Sequence, residues 1–150
     1  MSGDLRDLYQ EVIFDHYKRP RNCGALEDAS HHAEGHNPLC GDHVTIYLKV
    51  DGDVVRDVRF EGAGCAIATA SASLMTEALK GRKLADVEAL FRGFHDMVTE
   101  APGPAASHDL GKLEVLAGVR EFPARVKCAT LAWHTLKAAL AKRQQPISTE

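Results

Sequence analysis

The alternation of hydrophobic and polar positions changes period twice along this chain, and each change marks a new kind of element. Over the first 19 residues Leu5, Leu8, Tyr9, Val12, Ile13 and His16 recur at spacings of three and four, which puts them on one stripe of a helix. Asp4 offers an N-cap and Pro20 a stop. Residues 21–42 are rich in Gly, Asn, His and Pro and read mainly as loop, with room for a short edge strand. From Val44 the period becomes two. Val44, Ile46, Leu48 and Val50 alternate with Thr45, Tyr47 and Lys49, and after Asp51-Gly52 the run VVRDVRF places Val58 and Phe60 opposite Asp57 and Arg59. Two alternating runs joined by Asp-Gly are a strong hairpin signal.

Behind "EGAGC" the helical period returns. Residues 65–81 are dense in Ala, Ser and Thr, which lets a neighbour approach closely, and Gly81 is the expected C-cap. A second helix is expected over 84–98 on Leu84, Val87, Leu90, Phe91 and Phe94, then a loop over 100–109 and a third helix around 110–120. Pro123 suits the entry to a last helix, whose stripe is Val126, Ala129, Trp133, Leu136 and Leu140. Residues 144–150 read as a frayed tail. The expected fold is α+β: an N-terminal helix, a small antiparallel sheet of about three strands, and C-terminal helices packed on one face.

Composition narrows the function classes. With 150 residues and no repeat or internal boundary, residues 1–150 are expected to form one domain. Its 45% hydrophobic and 26% charged residues suit a soluble globular protein. A net charge of −3 provides no basic footprint for nucleic acid or an anionic membrane. No apolar run nears the roughly 20 residues that cross a bilayer, and the acid-bearing start lacks the apolar core of a signal peptide. A cytoplasmic setting follows as the expectation, where four cysteines are free, metal-bound or catalytic rather than paired.

Those cysteines are Cys23, Cys40, Cys65 and Cys128, and no two form a CxxC pair. Three sit at the ends of expected elements. Cys40 lies on the loop entering the first clear strand, Cys65 follows "GAG" where a strand gives way to a helix, and Cys128 lies in the first turns of the last helix. Helix starts carry unpaired N–H groups and a positive partial charge, which favour thiolate over thiol. Arg125 and Lys127 add positive charge beside Cys128. Any single cysteine could equally be a small core filler, and that is the expectation for Cys23. His31, His32, His36 and His43 read as loop or surface polarity, with His43 notable only for adjoining Asp42.

"NPLCGD", "GAGCAIATASASLMTE" and "RVKCATLAWHTLKAAL" together resemble the three cysteine motifs of the U-type iron–sulfur cluster assembly proteins. "LYQEVIFDHYKRPRN" resembles that family's opening helix, so the likeness spans nearly the whole chain. The family's IscU scaffold branch carries a ligating histidine directly before the third motif cysteine, where this chain has Lys127, and has a shorter segment between the second and third cysteines. Both departures resemble the SufU branch, a zinc-dependent sulfur-transfer partner of a cysteine desulfurase.

The resemblance and the residue types together imply a Zn²⁺ site made by Cys40, Asp42, Cys65 and Cys128, with iron or an iron–sulfur cluster as the alternative occupant. The spacing of Cys40 and Asp42 across Gly41 lets both side chains turn toward one ion. The implied partner is a SufS-type cysteine desulfurase, a pyridoxal-phosphate enzyme carrying a persulfide. Its histidine would displace one zinc ligand and free Cys40 as the catalytic nucleophile, and the sulfur would pass to downstream scaffold proteins. Arg125 and Lys127 are candidate supporting residues; Arg125 could pair with Asp42 or orient the persulfide. Competing expectations are a cluster scaffold, a cysteine-nucleophile hydrolase using Cys65 or Cys40 with a histidine, and a zinc-stabilised binding module.

Overall fold

The structure, a computed structural model, describes residues 2–99, 111–142 and 147–148. Its elements are α1 (Ser2–Lys18), β1 (His31–Asn37), β2 (Asp42–Asp51), β3 (Val54–Ala63), α2 (Ala66–Leu79), α3 (Leu84–Thr99), a 3-10 segment (Gly111–Glu121), α4 (Pro123–Leu140) and β4 (Ile147–Ser148). The α+β order therefore stands. The expected loop at 100–109, the side chains of Leu5, Leu8 and Tyr9, and most of the tail lie outside what is described.

The four strands run in the order β3-β2-β1-β4, with the first three antiparallel and β4 parallel to β1. The sheet thus has one strand more than expected, and β1 occupies residues that read mainly as loop. Its sequence HHAEGHN does alternate, burying Ala33, Gly35 and Asn37, but Ala, Gly and Asn make a faint apolar face. On β2 the expected set Val44, Ile46 and Leu48 is buried. On β3 a bulge falls between two pairings, Lys49 with Asp57 and Val50 with Val55, so that Val55 and Val58 both face inward although three positions apart.

Helices α2 and α4 cover the inner face of the sheet, α1 packs on α2, and the 3-10 segment packs chiefly against α3 and α4. The small residues of α2 allow this close approach: Ala70, Ser71, Ala72 and Ser73 are all buried. Trp133 of α4 is core, stacked on Phe94 of α3 with ring centroids 4.5 Å apart. Its Nε1–H donates to Ser71 Oγ at 3.2 Å, and that hydroxyl donates in turn to the Ala129 carbonyl at 2.6 Å. The expected third helix is a 3-10 segment because Leu113, Leu116 and Val119, all buried, recur every three residues, the period of that helix. Asp4 lies inside α1 rather than capping it, while Gly81 ends α2 as expected, left-handed at φ 85° directly after the C-cap Lys80. No described helix is long and apolar enough to cross a membrane.

Candidate metal centre

The fold brings three chain segments to one end of the sheet. Asn37 and Asp42 are paired across the β1–β2 connection, so residues 38–41 form a short loop that carries Cys40 at its tip. Gly41 follows in the left-handed region at φ 70°, a conformation that glycine adopts without side-chain strain. Alternation along β2 then turns Asp42 inward and His43 outward. His43 faces His36 across the open side of the sheet, so neither reaches the site.

Asp42 is the centre of the arrangement, only 2% exposed. Its Oδ1 accepts the backbone N–H of Cys65 at 2.8 Å, leaving Oδ2 turned toward the sulfurs. Cys65 Sγ lies 3.9 Å from that oxygen. Gly64 makes this possible: a Cβ at that position would stand 2.6 Å from Asp42 Oδ1. Cys65 is also the N-cap of α2, its sulfur accepting from the N–H of Ala68 at 3.5 Å. It therefore sits in the positive end of the helix dipole.

Cys128 enters from the second turn of α4 and is fully buried, with Sγ 3.3 Å from Cys40 Sγ. Burial, followed by its bonds to Cys40, Asp42 and Cys65, pushes the Cys128 thiol pKa up strongly. The exposed Arg125, one turn earlier, stands beside the thiols, and the charge of Cys65, then of Cys128, holds its pKa above the ordinary value. It supplies a permanent positive charge at the rim.

Cys40, Asp42 and Cys128 place their donor atoms within 4.8 Å of one another, the only such group among the described residues, and Cys65 joins it through Asp42. Two thiolates on one tetrahedral zinc lie about 3.8 Å apart, from Zn–S bonds near 2.3 Å. The Cys40–Cys128 separation of 3.3 Å needs only a slight opening to admit an ion. Three soft sulfurs and a carboxylate are a zinc-type donor set, so the residues fit the metal.

Two further placements complete the picture. Lys127 points round α4 to a separate groove lined also by His95, Thr99, Thr130 and His134. Cys23 is exposed against Phe60 at the outer edge of β3 and belongs to no donor group among the described residues. Sequence reasoning missed Asn37, whose amide Nδ2 donates to Asp42 Oδ2 at 3.4 Å and to Cys128 Sγ at 3.5 Å. The inward phase of β1 was the signal for it, too weak to see without the pairing to β2.

With this geometry in hand, the comparisons are specific. The model of the NifU-like N-terminal domain matches residues 8–129. The chain is 46% identical over 143 residues to a Bacillus subtilis (strain 168) protein named zinc-dependent sulfurtransferase SufU, covering 95% of this chain and 96% of that one. It is 44% identical over 138 residues to the iron–sulfur cluster assembly scaffold protein IscU of Streptococcus pyogenes serotype M1, covering 92% and 86%. The crystal structure of FiSufU from the thermophile Fervidobacterium islandicum AW-1 is similar with a TM-score of 0.79 and 37% identity, covering 87% of this chain and 94% of that one.

Proposed function

Because the chain belongs to the NifU-like N-terminal domain family, we propose that it serves iron–sulfur cluster assembly as a zinc-dependent sulfur acceptor. In this reading Cys40 takes persulfide sulfur from a SufS-type cysteine desulfurase in the cytoplasm and passes it to downstream scaffold proteins. The observation that carries the reading is a contrast between two neighbouring thiols. Cys40 is exposed on a loop tip, while Cys128, 3.3 Å away, is buried and held by a helix. Of these two, Cys40 is the one open to a sulfur atom on another protein.

The transfer balances as thiol–disulfide exchange. The Cys40 thiolate attacks the terminal sulfur of the donor's Cys–S–SH group; the donor's S–S bond breaks, its cysteine leaves as thiolate, and the proton stays on or leaves the new Cys40 persulfide. Cys40, Asp42, Cys65 and Cys128 would hold the zinc, which keeps bound thiols deprotonated and shielded. Arg125 offers its cation to the incoming persulfide anion at the rim. Asp42 keeps Cys65 in register through the Cys65 N–H.

Desulfurase turnover tests this against a scaffold. Zinc-loaded protein is expected to accelerate cysteine desulfuration, chelator-treated protein to fail, and reconstitution with iron and sulfide to leave no retained cluster. A cluster that stays on the protein, with turnover unaffected by zinc, contradicts the proposal.

A further inference from the structure

We propose that Asn37 is a positioning residue of the thiolate site: its side-chain amide holds Cys128 and Asp42 as the fixed ligands and so leaves Cys40 as the one that lets go. The selection of Cys40 rests on the sulfur-acceptor reading; the grip on Cys128 and Asp42 does not.

The last inward position of β1 is where the strand meets the site, and Asn37 is fully buried there. The preceding inward positions are Ala33 and Gly35, small and without polar side-chain atoms. A buried amide carries a desolvation cost unless its atoms are bonded, and here Oδ1 has no hydrogen-bond partner among the described residues. What the residue does have is a place in the site at three points. Its carbonyl accepts the backbone N–H of Cys40 at 3.3 Å, and its Nδ2 donates to Asp42 Oδ2 at 3.4 Å and to Cys128 Sγ at 3.5 Å. One side chain thus spans a ligand from the hairpin and a ligand from α4, elements that the sequence separates by 91 residues between Asn37 and Cys128.

The chemistry of an N–H donated to a thiolate gives this geometry its consequence. The donor draws charge from the sulfur, which becomes the poorer nucleophile and is pinned in orientation. Cys128 receives that amide N–H, whereas among the described residues Cys40 Sγ receives the Cys128 thiol proton and no N–H. That proton leaves when a metal binds, because the ligands must be deprotonated. The amide stays. Of the two adjoining sulfurs, one is then both buried and hydrogen-bonded, and the other is exposed and held only through its backbone.

The test uses the zinc-loaded 150-residue chain with Asn37→Ala and with Asn37→Asp, which keeps the shape but lacks the N–H. Chelator competition is expected to show zinc binding about 10–100-fold weaker in both. With the exposed Cys23 labelled throughout, limiting iodoacetamide is expected to label Cys40 and spare Cys128 in the unmodified protein, and to label Cys128 as well in the variants. Cobalt-loaded protein is expected to shift its sulfur-to-metal charge-transfer band. A residue that merely closed the hairpin would lower the melting temperature of metal-free and loaded protein equally; unchanged affinity, an unchanged band and a still-protected Cys128 overturn the proposal. If neither variant folds, the wild-type protein decides: the Asn37 side-chain amide proton should move downfield on zinc loading, and a static resonance overturns the idea. Absence of persulfide on wild-type Cys40 would defeat the sulfur-acceptor reading and leave these metal readouts standing.

Discussion

Asp42 shows how little freedom the individual residues of the site have. Both of its oxygens are engaged, Oδ1 by the Cys65 N–H and Oδ2 by Asn37, and the space beside it exists because residue 64 has no side chain. Gly64→Ala should therefore displace the carboxylate, since the new Cβ would stand 2.6 Å from Oδ1. Zinc affinity measured by chelator competition is expected to fall by at least about tenfold, the scale of a disturbed ligand environment. Affinity within twofold of wild type would mean that Asp42 has room to move. At this scale the sequence marked Cys40, Asp42, Cys65 and Cys128 as candidate ligands through their places at element ends and the resemblance of their motifs, and the fold brings their donor atoms to one place. Asn37 was not marked, because asparagine before proline reads as an ordinary turn residue, and only its pairing with Asp42 turns it inward.

Among the elements, α2 and α4 carry the burden of placing Cys65 and Cys128, and Ser71 is the joint between them. Its hydroxyl accepts from Trp133 and donates to Ala129, both on α4. Ser71→Ala leaves the buried indole N–H without that partner, which is expected to cost about 1–3 kcal/mol in urea unfolding. No change in the unfolding midpoint would show that the packing of Trp133 on Phe94 suffices alone. The strong periods were read correctly at this scale: β2, α3 and α4 follow apolar side chains at fixed spacing, and β3 does so from Val58 to Phe60, beyond its bulge. The misread β1 and 111–121 segments each have their own physical cause. In β1 the inward residues are too small to register as hydrophobic, and in the segment at 111–121 a three-residue spacing is easily taken for one of three and four.

Across the whole molecule, stability should depend on protons and on metal. His16 is buried between α1 and α2, its Nδ1 on Ser73 Oγ at 2.7 Å and its Nε2 3.7 Å from Glu77 Oε1. Burial, then the nearby Arg21 and Lys112 charges, hold its pKa below the ordinary 6.5, against the opposing pull of Glu77 and Asp15. Burial lowers His134 in the same sense. The folded protein thus binds these protons less readily than the unfolded chain. Stability is full above the unfolded pKa and falls as the pH drops below about 6.5, by up to about 1.4 kcal/mol per pH unit for each histidine, until the folded pKa is passed. His16→Gln should flatten the melting-temperature profile between pH 7 and pH 5; an equally steep profile would remove His16 from the account. Metal acts in the opposite direction. Zinc at about 1,000 times its dissociation constant should add about 4 kcal/mol through binding to the folded state alone, seen as a melting temperature that rises with zinc and returns with chelator, and a melting temperature indifferent to zinc would contradict the site.

The assignment of Cys40 as the sulfur acceptor is the claim on which the rest depends, and peptide-resolved mass spectrometry tests it directly. Zinc-loaded protein is mixed with a cysteine desulfurase and a single equivalent of cysteine, then alkylated and digested. The account predicts the mass of one added sulfur on the peptide containing Cys40, and none anywhere after Cys40→Ala. Sulfur on Cys65 or Cys128 in the wild-type protein, or full loading of the Cys40→Ala variant, would contradict it.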